Sequence, residues 1–213
     1  MQRKSLILAL LAVLTLGGAA QASLIDRGSG LVYDTALNIT WLAAPSGPMD
    51  WPAANTWAEN LNYGGYTDWR LPATLQPDST CGTQSGGVSY GINCTGSEMG
   101  HLFYKDLGGT VGTPILSSGA PGLALFPNLV SGIYWSGTKY VPPVGAGDYA
   151  WIFYMNNGYL QSGSLGADTT NGEYYVLAVR PGDVAPPSNV PEPATLTLVG
   201  LGMGWLGWAR RRR

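Results

Sequence analysis

The nine residues Gly64-Gly65-Tyr66-Thr67-Asp68-Trp69-Arg70-Leu71-Pro72 constrain the fold of this chain more than any other stretch. Gly64 and Gly65 admit positive φ and suit a helix end or tight turn, whereas Pro72 fixes its own φ and drives Leu71 extended. Between them Trp69 and Leu71 alternate with Asp68 and Arg70, so a short strand here buries Trp69 and Leu71 on one face. An arginine set between buried apolar residues needs a partner, because an unpaired buried charge is costly. Arg180 closes another apolar run, Tyr174 to Arg180, and makes the same demand. Both are read as ion-paired fold determinants rather than ligand contacts, with Asp68 and Glu98 as candidate partners.

The two ends carry targeting signals. Arg3 and Lys4 precede an apolar run from Leu6 to Leu16 and then Ala20-Gln21-Ala22, the small-x-small pattern that signal peptidase accepts. Residues 1–22 are therefore expected to be a signal peptide, since the run is too short for about 30 Å of hydrocarbon. After a Pro-rich linker at 183–189 come Val190-Pro191-Glu192-Pro193, an apolar stretch at 194–209, and four arginines. As a helix that stretch rises about 24 Å, a marginal membrane span whose basic end stays cytoplasmic. What remains, Ser23 to Asn189, holds five bases against twelve acids, a balance of −7. That excludes the basic surface a nucleic-acid partner requires. Few charges with many glycines, tryptophans and tyrosines describe one loop-rich domain that packs aromatics.

Along that domain, Leu31–Asp34 and Ile39–Leu42 read as a hairpin. Asp50 caps a helix whose Ala54, Trp57, Ala58 and Leu61 share one face. Residues 73–95 turn Gly-, Ser- and Thr-rich between Cys81 and Cys94, the only two cysteines. In an exported chain that pair suggests a disulfide closing an insertion, worth about 3 kcal/mol. Thr95-Gly96-Ser97-Glu98 has capping-box spacing for a second helix with Met99, Leu102 and Phe103 inside. Strands are expected at Ile133–Ser136, Tyr149–Met155, Tyr159–Ser162 and Tyr174–Arg180, with Asn156-Asn157-Gly158 as a hairpin turn. Both alternating sets of Tyr149–Met155 are apolar, so this strand is expected to be covered on two faces.

The Trp69-Arg70-Leu71-Pro72 run, the preceding helix and hairpin, and the later Tyr134-Trp135-Ser136-Gly137-Thr138, Ala150-Trp151 and Val179-Arg180 resemble the domain first named from the C-terminus of a Legionella collagen-like adhesin. The resemblance covers residues 24–182. It implies an α+β, C-type-lectin-like or formylglycine-generating-enzyme-like fold over residues 23–182, with two short helices on antiparallel sheet and long loops. Residues 190–213 resemble the PEP-CTERM sorting tail, which implies membrane anchoring through the C-terminal helix, processing by an exosortase-type enzyme, and delivery to a cell surface or matrix rich in exopolysaccharide.

Candidate chemistry is sparse. Cys81 and Cys94 lie in the insertion rather than near the last strands, where the superfamily's oxidising pair would be expected. His101 is the only histidine, which rules out the usual triad and multi-His zinc sites and leaves a structural or surface role. Gln76-Pro77-Asp78 matches a tripeptide of calcium-dependent lectins, but the late Asn-Asp pair that should accompany it is missing. No cofactor, metal or catalytic residue is expected. The aromatic set Trp135, Tyr140, Tyr149, Trp151, Tyr154 and Tyr159 reads first as sheet packing and second as a sugar platform, with Asn156 or Asn157 supplying polar contacts. The expected function is a non-catalytic, exported module binding polysaccharide; the alternatives are a structural matrix protein and, third, an enzyme of the formylglycine-generating type.

Overall fold

A computed structural model describes residues 24–140, 149–164 and 172–184. The expected signal peptide and the apolar stretch at 194–209 lie outside them. No helix among the described residues is long and apolar enough to cross a membrane.

The architecture is α+β. Strands β1 (Leu24–Gly28), β2 (Leu31–Asp34) and β3 (Ile39–Met49) form an antiparallel meander. Helix α1 (Trp51–Glu59) follows, then a small hairpin, β4 (Thr83–Ser85) and β5 (Val88–Tyr90), inside the expected insertion. Helix α2 (Glu98–His101) continues as a π-helical turn, Leu102–Asp106. The chain ends in β6 (Ile133–Tyr140), β7 (Tyr149–Tyr154), β8 (Tyr159–Ser164) and β9 (Tyr174–Pro181). The seven longer strands make one sheet in the order β1-β2-β3-β9-β6-β7-β8. Strand β1 had no signal in the sequence; it pairs with β2, and Arg27 on it holds Asp183 through an Nε–Oδ1 hydrogen bond of 2.8 Å.

Strand β9 is the middle of that sheet, and Val176, Leu177, Ala178 and Val179 are all fully buried, as a strand covered on both faces must be. Val176 and Ala178 face the side of α1, where Ala54 and Ala58 pack with Leu71 and Trp135. Leu177 and Val179 face the other side, with Trp41, Met99, Leu102, Phe103 and Phe153. Strand β7 divides in the same way, Ala150 and Ile152 to the α1 side and Trp151 and Phe153 to the other.

Asp50 caps α1 through the Ala53 N–H at 2.8 Å, and Gly64 and Gly65 take φ values of 63° and 84° at the turn beyond it. The next stretch forms no full strand. Arg70 exchanges both backbone hydrogen bonds with Val179, at 2.9 and 2.8 Å, and the ladder stops there. Pro72 has no N–H to extend it, and its carbonyl turns to β6, accepting from the Gly137 N–H and the Ser136 hydroxyl, each at 2.9 Å. Trp69 and Leu71 are nonetheless both 3% exposed, on the α1 side of β9.

The two arginines take one candidate carboxylate each. Arg70 is bidentate to Glu98, at 2.8 and 2.7 Å, and Arg180 is bidentate to Asp68, at 2.8 and 3.0 Å. The Arg180 guanidinium also lies 4.1 Å from the centre of the Tyr66 ring. Glu98 corrects the expected capping box: α2 begins at Glu98 with Ser97 as N-cap, and the carboxylate goes to Arg70 and to the Ala73 N–H instead of back to Thr95.

The Arg180 pair is asymmetric, with side-chain exposures of 11% for Arg180 and 48% for Asp68. Removing the arginine leaves a carboxylate that water can reach, whereas removing the carboxylate strands a buried guanidinium whose Nη1 already lacks a partner. Asp68→Ala should therefore cost about 2 kcal/mol and lower Tm by about 5 °C, more than Arg180→Met does. The Arg180 hydrogen bond holds the Asp68 pKa below its ordinary 3.8, so this contribution is present at neutral pH and is lost as acid titrates the carboxylate. Thermal melts of both variants between pH 7 and pH 3 check the order and the sign.

Candidate functional site

Three tyrosines and a tryptophan converge where the insertion meets the edge of the sheet. Strand β8 is the last in the sheet, and beyond it Gly91 trades backbone hydrogen bonds of 2.9 and 2.8 Å with Leu160, so the end of the β4–β5 hairpin docks on that edge at one residue. A pocket of about 570 Å³ opens between them. The hairpin contributes Ser85, Gly86, Val88 and Tyr90; the sheet contributes Tyr140, Trp151, Tyr159, Leu160 and Gln161. Trp151 and Leu160 are buried, while Tyr90 and Tyr159 are 37% and 43% exposed. The Tyr140 ring stands edge-on to Trp151 at 5.2 Å. Among the described residues, none that lines the pocket is acidic or basic. Such a wall offers aromatic faces, hydroxyls and one amide.

The hairpin is held in place by several contacts. Cys81 and Cys94 are joined as a disulfide. At 6% and 0% exposure they belong to the main core cluster, together with Met99, Leu102 and Phe103. Gly100 lets α2 press against this ring, since a Cβ there would sit 1.9 Å from the Cys94 carbonyl oxygen. Asp78, 1% exposed, accepts from the N–H groups of Thr80 and Gly96, and Gln76 exchanges two hydrogen bonds with the Ser89 backbone. Gln76 and Asp78 thus brace the loop itself. Across the pocket's end, Tyr104 donates to the Gly158 carbonyl at 2.6 Å and accepts the Asn93 N–H at 3.1 Å.

Residues 30–180 match the Lcl C-terminal domain family. The chain belongs to that family. Residues 189–213 match the PEP-CTERM protein-sorting motif, which takes in Val190, Pro191, Glu192 and Pro193. The chain is accordingly an exported protein that is anchored in the membrane before exosortase processing to the cell surface. Comparison with curated proteins and with solved structures gave no match.

Within this Lcl-type domain the expected aromatic platform divides. Tyr140, Trp151 and Tyr159 line the pocket. Trp135 does not: it is fully buried against α1, its Nε1 donating to the Met49 carbonyl at 2.8 Å and its ring centre 4.6 Å from that of Tyr174. Strand periodicity explains the split, because Trp135 pairs with Ile152 and so faces away from Trp151. Asn156 and Asn157 sit at the β7–β8 turn outside the lining, and the Asn157 Oδ1 accepts the Tyr159 N–H at 3.0 Å. Tyr90, Val88 and Gln161 were missed. Tyr90 stood out only as an aromatic in a Gly- and Ser-rich loop, and its meeting with β8 depends on a contact between Gly91 and Leu160 that no spacing encodes.

His101 belongs to another place. Its Nε2 lies 3.7 Å from Oδ2 of Asp106. Burial, and after it the neighbouring Asp34 carboxyl, pushes the Asp106 pKa up to about 7.

Because the cystine is buried in the main core cluster, its loss reaches beyond the insertion. Replacing both cysteines by serine should remove about 3 kcal/mol of ring constraint and expose polar groups to the core, lowering Tm of the whole domain by at least 6 °C. One cooperative melt at the lower temperature supports this. A separate early transition, with the main melt unmoved, would show the insertion to be an independent appendage.

Proposed function

We propose that the chain is a surface-displayed, non-catalytic binding module whose pocket at the β8 edge takes a neutral polysaccharide. The observation that carries this reading is the aromatic lining, which among the described residues carries no charge. Pyranose rings present apolar C–H faces that stack on tyrosine and tryptophan, and hydroxyls that Ser85, Gln161 and the phenols can pair. A size of about 570 Å³ suits one or two sugar residues of a longer chain. The opening at a sheet edge, bordered by the exposed Tyr90 and Tyr159, suits a ligand that continues past the site. The mature chain's balance of −7 disfavours acidic glycans and supports a neutral one. The C-type-lectin-like resemblance and a sorting tail that places the module at the cell surface point the same way. Among the described residues the lining holds no cysteine, which supports binding over the cysteine-based oxidation of the formylglycine-generating type. A purely structural matrix role would leave the pocket's exposed tyrosines without a use.

Binding of the purified mature protein to a panel of neutral and acidic polysaccharides, including those of the source cell, tests the reading. Tyr90→Ala and Tyr159→Ala should each weaken binding about tenfold, the effect of removing one stacking partner of about 1.4 kcal/mol, and leave Tm within about 2 °C. No binding to any polysaccharide of the source cell would sink it.

A further inference from the structure

Asp34, His101 and Asp106 come from three separate elements and meet in the interior. Asp34 ends β2, His101 ends α2, and Asp106 ends the π-helical turn. One ligand atom from each lies within 4.8 Å of the other two. The Asp34 residue and the Asp106 side chain are both fully buried, and the His101 side chain is 16% exposed. Their hydrogen bonding is incomplete. Asp34 Oδ1 accepts from the N–H groups of Ala36 and Leu37; among the described residues no fixed donor reaches Asp34 Oδ2, either oxygen of Asp106 or His101 Nε2, and the Asp34 and Asp106 carboxyls lie close enough to share one proton. Four orphaned polar atoms at one buried spot are far from the usual rule that buried polar groups are satisfied.

We propose that these three side chains bind a divalent transition-metal ion of the zinc class, which clips the β2–β3 turn to the π-helical turn. The donor set selects the ion. Calcium takes six to eight oxygens, whereas this site offers one imidazole and at most three free carboxylate oxygens. Zinc takes imidazole nitrogen and carboxylate oxygen together at about 2.0–2.2 Å in a tetrahedron, which puts ligand atoms roughly 3.4 Å apart. The His101–Asp106 separation of 3.7 Å is already close to that. The second Asp106 oxygen or a water completes four ligands.

The π-helical turn gives the arrangement a local cause. Residues five apart in an α-helix point about 140° from each other, so His101 and Asp106 would diverge. Here Leu107 N–H bonds to Leu102 C=O, an i→i+5 hydrogen bond of 2.9 Å, and the wider turn brings residues five apart nearer to one face. That places both side chains on one side, facing Asp34. A lone histidine was expected to hold no metal; two carboxylates from the fold change its setting.

The full-length chain, stripped with a chelator and then melted with Zn²⁺, Mn²⁺, Ca²⁺ or Mg²⁺, tests the site. Zn²⁺ or Mn²⁺ should raise Tm by about 5 °C or more at saturation, with one ion per chain by elemental analysis, and Ca²⁺ and Mg²⁺ should do neither. Asp106→Asn and His101→Gln should each abolish the shift. Asp106→Asn also removes one of two facing carboxylates and should melt no lower than the stripped parent, so the variant remains folded. No shift, with Asp106→Asn melting higher than the parent, would assign the cluster to a proton shared by two carboxyls and overturn the proposal. A shift that survives both substitutions would assign the metal to another place and overturn it equally. Polysaccharide binding enters neither readout, so this test stands apart from that of the pocket.

Discussion

One residue of backbone pairing holds the two halves of this domain in register. Arg70 and Val179 exchange both hydrogen bonds, and nothing extends the ladder because Pro72 follows two positions later. So short a junction is adequate because side chains flank it on both sides. Trp69 and Leu71 bury beside Ala178 and Val176, each worth roughly 1.5–3 kcal/mol, while Arg70 reaches Glu98 and Arg180 reaches Asp68. Each ion pair therefore links the stretch 68–72 to a different partner, α2 on one side and β9 on the other. The central strand, the first helix and the second helix are all positioned from this point.

The insertion takes part in that construction instead of hanging from it. Its cystine lies in the same apolar cluster as α2 and β7, and Glu98, one turn from that cluster, is the residue that Arg70 holds. The β4–β5 hairpin keeps Val88 against the core, and among the described residues its backbone bridges to the sheet at Gly91 and Leu160. Between these two attachments the hairpin has no strand partner of its own, and the pocket fills the interval. Its shape follows from where the ring closes and where the edge strand ends.

Local signals were legible wherever chemistry and backbone coincide. The Asp50 cap, the glycines after α1, the hairpins and the four late strands all follow from turn residues and periodicity. Pairing Arg70 and Arg180 with Glu98 and Asp68 was legible because a short list of carboxylates stood near strands that had to bury a charge. What sequence could not supply was long-range register. Trp135 and Trp151 look alike in composition, yet their alternation about the β6–β7 pairing sends one into the core beneath α1 and the other to the pocket. Thr95 and Glu98 have capping-box spacing, but a bidentate guanidinium offers Glu98 more than a backbone N–H does.

The treatment of charge differs between the two faces of the sheet. Around residues 68–72, Asp68 and Glu98 each meet a guanidinium and keep some contact with water. On the other side Asp34 and Asp106 lie inside, with three oxygens that no fixed donor among the described residues reaches. Trp41 Nε1 and Arg180 Nη1 are single unsatisfied atoms elsewhere, but a cluster of them from three side chains marks something the apolar core alone does not explain. The same region holds a π-helical turn that rotates Asp106 beneath His101. An α-helical continuation there would have turned Asp106 away from Asp34 and relieved the conflict. The i→i+5 hydrogen bond instead keeps two carboxyls and an imidazole together, at the cost of helix regularity and of unmade hydrogen bonds.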